Sequence, residues 1–122
     1  MARTLELCRD ADVTFVGVGH IDATAPLSVD GVISAEESRA LIAAGAVGEV
    51  VGWAIDGDGN LIQGLTNDRV TSAPLRVANP NPVIGIAVGE AKVKAILAAL
   101  RGRLINGLVT DEATARSLLS LV

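Results

Sequence analysis

Aromatic side chains are almost missing from this 122-residue sequence, which has one Phe, one Trp and no Tyr. Its core must therefore be built from Val, Ile, Leu and Ala, and 50% of the residues are hydrophobic. That share fits a folded chain, and the length suits one domain or part of one. Cysteine is equally scarce. Cys8 stands alone, so no internal disulfide can form, and the reducing cytoplasm is the expected location. Nothing around Cys8 marks a reactive thiol, and it reads as a small hydrophobe. No apolar run reaches transmembrane length, and Arg3, Glu6, Arg9 and Asp10 interrupt the start where a signal peptide would be apolar. A membrane partner is not expected. Basic stripes are missing too. The formal net charge is −4, which gives the chain itself no electrostatic reason to track a nucleic-acid backbone. One or two basic residues could still hold a small anion.

What is abundant is branched aliphatic residues and 13 glycines. That is the composition of a mostly parallel sheet with flanking helices, whose strands are apolar on both faces. Residues 3–11 suit a short helix, and Val13 to Gly19 a buried strand. A polar loop follows from His20 to Val32. Ser34 and Glu37 form a capping-box pattern before a helix that ends at Gly45. Gly48 to Asp56 reads as one strand and Gly57-Asp58-Gly59-Asn60 as a hairpin turn, with Leu61 to Gln63 pairing back. Arg69-Val70-Thr71 suits a short strand. Val83 to Val88 is an apolar strand. The next helix opens at Gly89-Glu90, carries Val93, Ile96, Leu97 and Leu100 at helical spacing, and stops at Gly102. Leu104 to Val109 is a strand, and Thr110 should cap a last helix with Leu118, Leu119 and Leu121 inward. The closing β-α-β-α order predicts parallel strands with right-handed crossovers. Ligands of such sheets bind beyond the carboxyl ends of the strands. Here those ends are Gly19 to Asp22, Gly89 to Lys92 and Thr110 to Glu112.

Lys92 is the strongest candidate for a ligand contact. It falls in the first turn of a helix, where the dipole disfavours a cation. Gly89 would let a ligand approach the backbone, and free N–H groups with an ammonium suit a phosphate or a polyol hydroxyl. The plainer alternative is a solvated lysine, which is how Lys94 reads. Glu49, set between glycine and apolar residues, could accept hydrogen bonds from sugar hydroxyls. His20 and Asp22 form a loose polar pair after a strand. A single His without a second ligand cluster argues against a metal, and no nucleophile is spaced to use His20 as a base. Asp56, Asp58 and Asn60 have a calcium-like spacing but no downstream glutamate, so a turn explains them better. Gly85 to Gly89 matches neither dinucleotide nor P-loop spacing. No cofactor is implied.

These segments together resemble a known family. Ala11 to Gly19, Gly45-Ala46-Val47-Gly48-Glu49, Asn67-Asp68-Arg69-Val70, Val83 to Lys92, Ala95 to Gly102 and Leu104 to Ala115 are similar, in order, to the sugar-binding domain of SorC-type transcriptional regulators. The Ile105-Asn106 and Thr110-Asp111-Glu112-Ala113-Thr114-Ala115 pieces are the most specific. The resemblance implies a fold like glucosamine-6-phosphate deaminase, ribose-5-phosphate isomerase and CoA transferases, here incomplete. It implies no enzyme activity. It implies a phosphorylated sugar or polyol effector, homo-oligomers, and DNA contact only through an N-terminal helix-turn-helix domain. By position, Glu49 matches the family's sugar-contacting acid, usually Asp, and Lys92 the effector-contacting lysine after a glycine pair, here Val88-Gly89. The stretches Gly48 to Trp53 and Val16 to His20 resemble the branch that senses erythritol. The helix-turn-helix and the glycine-rich phosphate loop of the first half have no counterpart, so residues 1–122 are expected to be the C-terminal part of the effector domain. The alternatives are an isomerase- or deaminase-like enzyme fragment using His20, Asp22 and Glu49, or a bare oligomerisation module.

Overall fold

A computed structural model of the chain describes residues 2–22 and 33–122. Most of the loop expected over residues 20–32, Pro26 and Gly31 included, lies outside the described residues. A five-stranded sheet runs in the order β3-β2-β1-β4-β5. Its strands are β1 (Thr14–His20), β2 (Ala46–Val50), β3 (Trp53–Asp56), β4 (Val83–Ile86) and β5 (Gly107–Val109). Helices α1 (Ala2–Arg9), α2 (Ala35–Ala43), α3 (Val93–Arg101) and α4 (Glu112–Ser120) complete the α/β architecture. β1, β4 and β5 pair in parallel, as the closing β-α-β-α order requires. β2 and β3 pair antiparallel, so the sheet is mixed and parallel in one half.

The antiparallel half contains a turn that the sequence hides. The expected single strand from Gly48 to Asp56 is a hairpin: Val50 pairs with Trp53, and Val51 and Gly52 turn the chain with φ of 45° and 94°. Both central residues of such a turn need positive φ, which a β-branched Val adopts reluctantly. The second turn falls where expected. There Asp56 Oδ1 accepts the N–H groups of Asp58 and Asn60, each at 2.9 Å. The returning chain makes one bridge, Ile55 to Leu61, rather than a strand.

The strand expected at Arg69-Val70-Thr71 is also absent. Leu65–Arg69 is a 3-10 turn instead, and the buried side chain of Asn67 substitutes for a neighbouring strand. Its Oδ1 accepts from the Ala54 N–H at 2.8 Å, while Nδ2 donates to the carbonyls of Ala54 and Ile62 at 3.0 and 2.8 Å.

Two cores lie on opposite faces of the sheet. Val16, Val18, Val50 and Ile55 meet Ala95, Ile96, Ala98 and Ala99 of α3. A Cβ at Gly48 would stand 2.4 Å from that of Ala95, so small residues set this close approach. Ala54 follows the opposite face from its neighbour Ile55. It joins Leu41 of α2, Ile21, Ala46 and Ile62 in a smaller core. Over β1, β4 and β5 that second face is open: Phe15, Ile86 and Val109 are 64%, 49% and 53% exposed.

Helix ends follow local chemistry. Ser34 and Glu37 form the expected capping box of α2, with hydrogen bonds of 3.0 and 3.1 Å. At α4 the cap is Asp111, one residue later than expected, and its Oδ1 accepts the Thr114 N–H at 2.9 Å. A carboxylate is the stronger acceptor and suits the positive helix end. Leu118 of α4 is buried, whereas Leu119 and Leu121 are 70% and 51% exposed. Thr114 and Leu118, four apart, are the inward pair, and Leu119 is turned about 100° away. No described helix is long and apolar enough to cross a membrane.

Candidate functional site

A cleft of about 380 Å³ opens where β1 and β4 end, on the uncovered face of the sheet. Gly17, Gly19, His20, Glu49, Ile86 and Lys92 contribute to its lining. Glu49 and Lys92, far apart in sequence, thus face one space. Two observations explain how each is held.

Glu49 sits opposite Gly19 in the β1–β2 ladder. Its Oε2 accepts from the Gly52 N–H at 2.7 Å, so the tight Val51-Gly52 turn fixes the carboxylate. Oε1 lies over Gly19, where a Cβ would stand only 2.3 Å away. Gly19 therefore makes room for the acid. Oε1 itself has no hydrogen-bond donor among the described residues and remains able to accept one.

Lys92 ends the 3-10 turn Glu90–Lys92 that leads into α3. Gly89 starts this turn with φ 119°, a value open to glycine. Its N–H donates to Thr114 Oγ1 at 3.0 Å, and its carbonyl accepts from the Lys92 N–H at 3.1 Å. The Gly89 N–H is thus engaged, and Gly89 does not line the cleft; in the structure it shapes the turn that carries Lys92. Thr114 is 2% exposed and is locked in turn by Asp111. A chain of contacts from α4 therefore positions the lysine. Its ammonium makes no ion pair or hydrogen bond with the described residues. Lys94, by contrast, is exposed on α3.

His20 and Asp22 are brought together, with Nε2 and Oδ2 3.7 Å apart. The His20 side chain is 14% exposed, and its buried Nδ1 has no partner among the described residues. Of the three expected strand ends, the first two border the cleft and Thr110 to Glu112 do not. Glu49 also borders a neighbouring cavity of about 340 Å³ shared with Leu41 and Arg69. Arg69 is engaged there by Glu37. The Ser34 N–H first, and then this guanidinium, holds the Glu37 carboxyl below its ordinary range. A larger cavity of about 630 Å³ lies at the opposite, amino ends of β1 and β4. No cluster of metal-ligating side chains occurs among the described residues. The sequence reading missed the anchoring roles of Gly52 and Thr114, although Thr114 sits inside the most specific motif.

The family model described as "Putative sugar-binding domain" matches residues 1–120. The chain is 41% identical over 117 residues to the transcriptional regulator LsrR of Klebsiella pneumoniae, covering 91% of this chain and 36% of that protein. It is 34% identical over 112 residues to the erythritol catabolism regulatory protein EryD of Brucella abortus, covering 92% and 35%. Its fold matches the crystal structure of the full-length sorbitol operon regulator SorC from Klebsiella pneumoniae with a TM-score of 0.79 and 34% identity, over 96% of this chain and 39% of that one. The chain thus spans little more than a third of the length of these relatives.

Proposed function

The chain belongs to the sugar-binding domain family of SorC-type transcriptional regulators, and from that premise we propose that it is the effector-sensing part of a bacterial regulator of carbohydrate or polyol metabolism. The observation that carries this reading is the convergence of Glu49 and Lys92 on one cleft. Glu49 Oε1 and the Lys92 ammonium, both without a partner among the described residues, meet the effector: the first accepts from its hydroxyls and the second donates to a hydroxyl or a phosphate. His20 lines the cleft as a further polar contact, with Asp22 beside its Nε2 and Gly89 shaping the lysine turn. Residues 1–122 act as the C-terminal part of the effector domain, in a cytoplasmic homo-oligomer whose separate helix-turn-helix contacts DNA. The effector prefers one arrangement of that assembly and shifts its population, which changes operator affinity.

The enzyme reading is weaker. The relatives are named as a transcriptional regulator, a catabolism regulatory protein and an operon regulator, and the His20–Asp22 pair has no nucleophile beside it among the described residues.

The relatives regulate erythritol catabolism and a sorbitol operon, so erythritol, sorbitol and their monophosphates are the probes to use. Titration of the isotope-labelled chain, followed by NMR to detect weak binding, should move the resonances of residues 17–20, 49–52 and 89–92. Shifts confined to other regions, or none with any probe, would remove the cleft as the effector site.

A further inference from the structure

Five glycines lie inside strands: Gly17, Gly19, Gly48, Gly85 and Gly107. Glycine weakens a strand, so each needs a reason, such as a bulge or a close approach by another group. Four have one within the described residues. A Cβ at Gly19 would meet the Glu49 carboxylate, at Gly48 the Ala95 Cβ and the Gly19 carbonyl, at Gly85 the Ile105 side chain, and at Gly107 the Ile84 side chain, all at 2.8 Å or less. Gly17 is different. Beyond Gly17 itself and its two chain neighbours, no described heavy atom lies within 4 Å of its Cβ position, and its φ is outside the positive range. Its pairing with Ile86 continues the regular β1–β4 register, so no bulge explains it. Gly17 faces the same side as Gly19, and both line the cleft that holds Glu49 and Lys92.

We propose that Gly17 is a specificity-determining residue: the space left by its missing side chain is where the carbon skeleton of the effector lies. Gly17 gives the cleft a floor of bare peptide, bordered by the half-exposed Ile86 and by the Glu49 carboxylate over Gly19. A polyol or sugar can lay its C–H face on that floor, with hydroxyls turned up toward Glu49 and Lys92. The residue at position 17 then sets how much ligand bulk fits. This inference rests on the effector reading above and names the part of the cleft that meets the ligand's carbons.

Gly17→Ala and Gly17→Val test it in the full chain, with sorbitol monophosphate as probe and Lys92→Ala and Glu49→Gln as companions. A side chain entering open space leaves the melting temperature unchanged or raises it, because strand propensity improves and the unfolded chain loses freedom. Probe affinity should nonetheless fall by about tenfold for Ala and further for Val. Equal affinity of both Gly17 variants, while Lys92→Ala or Glu49→Gln weakens binding, would overturn the role of Gly17 and leave the effector site standing. Loss of stability in both Gly17 variants would also overturn it, since the space would then belong to the protein. If the unsubstituted chain gives no response, the site and this inference fall together.

Discussion

The two faces of the sheet are built to different standards. On the α3 face, packing is complete: Val50, Ile55, Ala95, Ile96, Ala98 and Ala99 are each fully buried, and glycine at position 48 lets helix and sheet close to contact distance. The other face is covered by α2 only over the antiparallel strands. Over the parallel strands it exposes Phe15, Ile86 and Val109, although parallel sheets are ordinarily covered on both sides. The candidate cleft lies on this second face, at its boundary with the covered part. One face thus carries the tight core and the other the candidate cleft, and the same strands serve both because successive residues alternate sides.

That division can be attacked from the stable side first. Ile96→Ala removes a fully buried side chain from the α3 core and should cost about 2–5 kcal/mol in a denaturant titration. A cost under about 1 kcal/mol would mean that this core is not the tight one. Asn67→Ala comes next. It leaves the Ala54 N–H and two carbonyls without their partner, and a loss of about 1–3 kcal/mol is expected from the same measurement. Thr114→Val keeps the volume but removes the acceptor of the Gly89 N–H. It should cost about 1 kcal/mol and loosen probe binding through the displaced Lys92 turn, which NMR titration would register.

The open face should respond less than any of these. Phe15→Ser should change stability by no more than about 0.5 kcal/mol. A larger loss would show that the face is covered in solution. The mildest effect is that of pH. Asp111 is held below its ordinary range by the Thr114 hydroxyl and N–H, and Glu37 by Ser34 and Arg69. A depressed carboxyl contributes stability that is complete above its unfolded value and disappears as pH falls through its folded one. Melting temperature should therefore hold steady through neutrality and decline only under acid conditions, and Asp111→Asn should flatten the share that comes from α4.

Much of the fold was legible in the residues because several local signals agreed. The capping box at Ser34 and Glu37, the Gly57 to Asn60 turn and the β-α-β-α close each follow from short-range chemistry. The hairpin at Val51-Gly52 was illegible because a β-branched residue occupies a positive φ inside an apolar run. The irregular stretch at 64–72 was equally closed to periodicity, since Asn67 replaces strand pairing with side-chain hydrogen bonds. Of the site, the placement of Glu49 and Lys92 in one cleft was inferable from strand ends and from family likeness. Their anchors were not. Gly52 and Thr114 act across turns and between helices, where no sequence period reports a contact. The motif residues that looked most diagnostic proved partly structural. Asn106 accepts from the Val83 N–H and donates to the carbonyls of Asn79 and Asn81, and Asp111 and Thr114 fasten the start of α4.

The grip of the cleft is tested most directly by calorimetric titration of a sugar monophosphate into the chain and into its Lys92→Ala variant, with melting curves beside them. A charge-assisted contact predicts an affinity loss of roughly tenfold to a hundredfold at an unchanged melting temperature. Equal affinities in the two proteins would contradict the assignment of Lys92 to the effector.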